Sequence, residues 1–203
     1  AMFIQSALVY AYYLLPFSLI VVCVMIAGRE TGNNGILKML ALPVSRYALS
    51  LAKFLVLLLF LLLEMAVFFA MFVIAGGIAV HVTGIAEALP LLDLVKWCLG
   101  LFLTMLPGTA LMWAITVLFE KAPVSAGLNL LLVIPGILAA NTPSWMFYPY
   151  CYSGYLVSSA LHDFTAKGTH RAFSAFPFLP CAAVIFGLAL WLAVRSFGKK
   201  EMR

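Results

Sequence analysis

Stretches of about 20 apolar residues, the length an α-helix needs to cross a bilayer, recur five times in this chain and leave room for almost no other architecture. They cover about residues 8–28, 54–80, 97–119, 124–141 and 178–197. Hydrocarbon offers no partner to a free N–H or C=O, so a crossing segment must satisfy its own backbone, as a helix does. The apolar runs show no period-2 alternation, which argues against a β-barrel. The expectation is an all-α, polytopic membrane helical bundle with five spans in this chain, forming a single transmembrane domain over residues 1–203. Composition agrees, with 66% hydrophobic and 9% charged residues, where a soluble domain carries about 25% charged. A water-soluble enzyme or nucleic-acid-binding domain is excluded, and the net charge of +5 becomes a statement about topology.

The connections differ in charge. Arg29, Lys38, Arg46 and Lys53 stand against Glu30 alone in the first, and Arg195, Lys199, Lys200 and Arg203 fill the tail. By the positive-inside rule both are cytoplasmic. The connection before Lys96 holds Glu87 and Asp93, and residues 142–177 hold few charges for their length, so both read as external. The carboxyl end is then inside and the amino end outside. An external amino end reading Ala1-Met2-Phe3, with neither a basic flank nor a cleavage-site pattern, does not resemble a signal peptide. The expectation is a natural chain that begins earlier with one further span, six in all and both ends inside; a genuine five-span protein is the alternative.

The cytoplasmic segment at about residues 29–47 is the most informative. Gly32, Asn33, Asn34 and Gly35 supply turn chemistry at the membrane exit, and Ile36, Leu37, Leu40 and Ala41 then recur at helical spacing. Pro43 disfavours helix at Leu42 and suits the first turn of a second helix that runs into the next span. A helical hairpin with an apolar stripe is expected. Taken on its own, it can equally be a loop in the lipid interface, anchored by Lys38 and Arg46.

Glu30, Gly32, Leu37, Leu40, Leu42-Pro43-Val44-Ser45-Arg46 and Lys53 resemble the segment after the second span of ABC-2 type transporter permeases. There an acid and a glycine leave the membrane, and a leucine-rich helix leads to a P-x-S-R element and a lysine. Asn33-Asn34 departs from that pattern, since many relatives carry a threonine or tryptophan after the glycine. The resemblance implies that Glu30, Gly32, Leu37, Leu40, Pro43, Ser45 and Arg46 form a coupling helix that docks on an ATP-hydrolysing subunit. The aromatic-proline-aromatic run from Trp145 to Tyr152 is similar to one in the permeases of lantibiotic-immunity and bacitracin-resistance exporters, which implies antimicrobial peptides as a substrate class.

The chain has no G-x-x-x-x-G-K-[ST] phosphate loop. It is therefore expected to be a non-catalytic membrane subunit that binds no cofactor itself, with ATP and Mg on a partner ABC ATPase dimer. No duplicated set of spans is present, so a second permease copy or a related permease is expected beside it, in the lipid bilayer of the plasma membrane and without nucleic acid. The histidines His81, His162 and His170 are isolated and do not suggest a metal site. Cys23, Cys98, Cys151 and Cys181 form no C-x-x-C, and free thiols are favoured over a Cys151–Cys181 bridge.

Inside the spans, Glu64 is the one acid in a leucine-rich run, at an insertion cost of about 2.5–3.5 kcal/mol. It should face other helices or water, or be protonated. It is either a structural carboxyl or part of a substrate path. Pro107-Gly108 and Pro135-Gly136 interrupt two spans and can kink or break them. Trp145, Tyr148 and Tyr150, in the long external connection, read as an interfacial aromatic belt. The competing reading is an external lid or re-entrant hairpin that contacts an amphipathic substrate. The function expected is ATP-driven export of an apolar or amphipathic substrate. Rival classes are a membrane enzyme acting on lipid, which would turn over without ATP, and a pore or scaffold.

Overall fold

The computed structural model describes residues 2–31, 45–83, 91–119, 121–165 and 175–200. Helix α1 (Met2–Val9) passes through one π-helical turn (Tyr10–Leu14) into α2 (Leu15–Thr31). Next come α3 (Arg46–Thr83), α4 (Leu91–Leu118), α5 (Ala122–Val133) and the short α6 (Gly136–Ala140). Two 3₁₀ turns, Trp145–Phe147 and Pro149–Cys151, lead to α7 (Tyr152–Thr165), and α8 (Ala175–Lys200) closes the bundle. Among the described residues, five helical segments are long and apolar enough to cross a membrane, and no strand occurs. The chain is an all-α polytopic bundle.

Helix α4 is the axis of this bundle, packing against α2, α3, α5, α7 and most extensively α8. Its face is built for close approach. Thr104, Thr109 and Thr116 turn their hydroxyls back onto the carbonyls of Gly100, Met105 and Met112 at 2.8–2.9 Å, so three buried polar groups are satisfied without a partner helix. On α8, Ala182, Ala189 and Ala193 are buried, small side chains that let two backbones approach. Helix α3 buries Ser50, Phe54, Leu57, Leu61 and Met65, a stripe at helical spacing, while Leu55, Leu59, Leu62 and Val67 stay exposed as a lipid-facing surface would require.

Several boundaries differ from the sequence expectation. The second apolar run sits in a 38-residue helix, roughly 57 Å at 1.5 Å per residue, nearly twice the hydrocarbon thickness. Ser45 explains where it starts. The Ala48 N–H donates to Ser45 Oγ at 3.3 Å, which makes Ser45 the N-cap. Pro107 does not break α4, which runs continuously past it; Pro135 does end α5, with a turn at 134–135 before α6. Residues 142–165, expected as an external connection, hold two 3₁₀ turns and the 14-residue α7.

Candidate functional site

Two polar clusters among the described residues lie within the apolar bundle. The first joins α2 and α3. Ser18 Oγ stands 2.6 and 2.8 Å from the two carboxyl oxygens of Glu64, and 2.8 Å from the carbonyl oxygen of Leu15 on its own helix. The Tyr10 hydroxyl, from the π turn, faces the same carboxyl. Tyr10 is held there by stacking on Phe68 of α3, with ring centroids 3.9 Å apart and planes within 9°. Ser18 and Glu64 are half-buried and Tyr10 is buried. Among the described residues no base pairs with Glu64.

The second cluster forms where the aromatic turn enters the bundle. Asn129 of α5 is fully buried, and its amide donates to the carbonyls of Ser125 (3.0 Å) and Met112 (3.4 Å) and to Thr116 Oγ (3.4 Å). Its Oδ1 accepts from the Tyr150 hydroxyl at 3.2 Å. The Tyr148 hydroxyl donates to the carbonyl of Leu132, next to the turn that Pro135 imposes, and Tyr152 donates to the carbonyl of Met146. The glycines of both Pro-Gly pairs make this entry possible. A Cβ on Gly108 would stand 3.3 Å from the carbonyl oxygen of Pro149, and one on Gly136 3.3 Å from that of Tyr150. The main chain of the turn therefore rests on two gaps, one in α4 and one in α6.

The turn continues into α7, which docks on the π turn. Ser153 Oγ donates to the carbonyl of Ala11 at 3.0 Å. In a π turn that carbonyl would bond the N–H five residues on, where Pro16 has none, so Ser153 replaces a missing donor. Gly154 lies directly under the Tyr12 ring, and a Cβ there would run into it. Trp145 stacks on Tyr155 (4.0 Å) and meets Tyr152 edge-on (6.2 Å), with Phe178 of α8 closing the cluster.

Trp145 and Tyr150 are therefore buried and Tyr148 half-buried. The aromatic turn packs into the bundle, where the Tyr148 and Tyr152 hydroxyls donate to carbonyls and that of Tyr150 to the Asn129 amide oxygen. Cys151 and Cys181 are free thiols. Glu30 lies near the end of α2 and Arg46 begins α3; Gly32, Leu37, Leu40 and Pro43 lie outside the described residues. Lys53 is buried, its Nζ 4.4 Å above the Phe197 ring. Sequence reasoning missed Ser18, Tyr10, Asn129, Ser153 and Gly154. Asn129 could have been flagged as an amide well inside an apolar span, but its partner lies 21 positions away.

An apolar groove of about 540 Å³ runs beside the aromatic turn, lined by Leu111, Leu118, Leu132, Tyr148, Ile185 and Leu192 among others. Comparison with known families matches residues 1–136 to the ABC-2 family transporter protein. Neither a curated protein nor a solved structure matches the chain.

Proposed function

Because the chain belongs to the ABC-2 family of transporter proteins, we propose that it is the transmembrane permease subunit of an ATP-driven exporter, powered by a separate ATPase that binds ATP and Mg. The family match carries this reading. It covers residues 1–136, and with them the 29–47 segment, Glu64 and the two Pro-Gly pairs. In this reading two permease chains, identical or related, share an ATPase dimer. ATP binding moves the element that includes Glu30, Gly32, Leu37, Leu40, Pro43, Ser45 and Arg46, and α2 and α3, which flank it, pass the motion into the bundle. The substrate is apolar or amphipathic, in keeping with the apolar groove beside Tyr148 and with the cost of carrying a strongly polar solute past these walls. Antimicrobial peptides fit that class. The carboxyl end is cytoplasmic.

The test is co-purification from membranes with an ATP-hydrolysing subunit. We expect a stable complex with ATPase activity, weakened by Glu30→Lys or Arg46→Glu while the permease remains folded. A permease that purifies intact and associates with no ATPase would overturn the assignment.

A further inference from the structure

The cluster at the α2–α3 seam sets a carboxyl inside the bundle with no counter-charge among the described residues. Ser18 Oγ is close to three oxygens, those of Leu15 and both of Glu64, but a hydroxyl carries one hydrogen. When that hydrogen goes to Leu15, the 2.6 Å contact with Glu64 is attractive only if the carboxyl supplies a proton of its own. No described base offers Glu64 a counter-charge, and an isolated carboxylate at this depth is costly. The cluster by itself thus suits a neutral acid. A second feature is independent of that count. The Tyr10 hydroxyl, on a side chain 8% exposed, faces the same carboxyl.

We propose that Glu64, Ser18 and Tyr10 form a binding site for the primary ammonium group of an amphipathic ligand arriving through the bilayer. An ammonium has three donors, and the cluster offers three kinds of acceptor: a carboxylate oxygen, the Ser18 hydroxyl and the Tyr10 hydroxyl, with the Tyr10 and Phe68 rings beside them. Phenylalanine and tyrosine faces also attract cations. The ligand's alkyl part has a place as well, since Val21 of α2 and Leu63 and Val67 of α3 border the seam and are 50–61% exposed. Binding exchanges one proton: the carboxylic acid releases H⁺ to water, and the carboxylate and ammonium then pair in its place. The other titratable groups facing the cluster are Tyr10 itself and Cys98 of α4, which neighbours Tyr10. This inference rests on the export reading for its biological sense, since it names the ligand class as a cationic amphiphile, but the binding itself requires no ATPase.

The experiment uses the purified chain in phosphatidylcholine nanodiscs and dicyclohexylcarbodiimide, which modifies protonated carboxyls in apolar surroundings, with Glu64 modification read by mass spectrometry. Labelling is expected without ligand. Dodecylammonium should slow it about tenfold, the effect of one charge-assisted hydrogen bond, while dodecanol should not. Dodecyltrimethylammonium gives the membrane the same charge but donates no hydrogen bond, and should protect far less. Tyr10→Phe and Ser18→Ala, checked for intact folding by size-exclusion chromatography, should each raise the dodecylammonium needed. Absence of labelling, or equal protection by dodecylammonium and either control, overturns the site. Failure to find an ATPase partner would count against the export reading and leave this result standing.

Discussion

At the scale of single residues, side chains that reach the backbone of another segment do much of the organising. Asn129 collects donors and acceptors from α4, α5 and the aromatic turn. Hydrogen bonds between membrane helices are worth about 0.6 kcal/mol on average. Tyr150→Phe should therefore lower stability by about that much in a detergent melt, and Asn129→Leu by more, about 1–3 kcal/mol, because it strands the Tyr150 hydroxyl. The glycines separate more sharply. Gly154→Ala must displace the Tyr12 ring and should cost about 1–3 kcal/mol, whereas nothing lies near a Cβ at Gly127, so Gly127→Ala should be neutral or stabilise by up to about 1 kcal/mol. Glu64 was legible in the sequence because one acid in a leucine run has few explanations. Ser18 was not, since a serine in a helix commonly bonds its own backbone, as Ser18 also does with Leu15.

At the scale of elements, the apolar helices were readable because length and hydropathy alone define a crossing segment. The packed aromatic turn and α7 were not. Their sequence mixes aromatics, prolines and small polar residues, which serve equally well at an interface and in a packed turn, and what decides between them is the pair of gaps at Gly108 and Gly136 on helices distant in sequence. Pro-Gly pairs advertise a break, yet only Pro135 makes one; at Pro107 the helix continues and the glycine, not the proline, carries the structural role. Ser45 was singled out by resemblance and has a local reason to be there as the cap of α3. Ser45→Ala should cost about 1 kcal/mol at that helix start, seen as faster hydrogen exchange at Tyr47, Ala48 and Leu49 with little change deeper in α3.

At the scale of the whole molecule, topology came from charge placement and architecture from apolar length, two signals that do not depend on each other. The orientation in the export reading can be checked directly. In a variant whose native cysteines are replaced, Ser144→Cys, at an exposed position beside the aromatic turn, should react with an impermeant maleimide on intact cells. Ser45→Cys, also exposed, should react only after the membrane is opened. The reverse pattern would invert the assignment and place the 29–47 segment where no ATPase can reach it.

The π turn at Tyr10–Leu14 also fixes a phase. Each residue of an α-helix advances the side-chain direction by about 100°, and a π turn spends an extra residue without an extra turn. The register of α1 is therefore shifted by one residue against that of α2, which keeps Ala7, Ala11, Leu15, Leu19 and Cys23, four apart and all buried, on one inward face. Deleting one residue between Ala11 and Leu14 would remove the extra residue and let the segment close into ordinary helix with α1 and α2 still in phase. The same deletion within Leu15–Leu19 would turn everything before it by about 100°, and Tyr10 away from Glu64. Length at this point is thus a reserve of one residue, so a one-codon deletion inside the π turn should lower stability in a detergent melt less than one in the turn of α2 that follows.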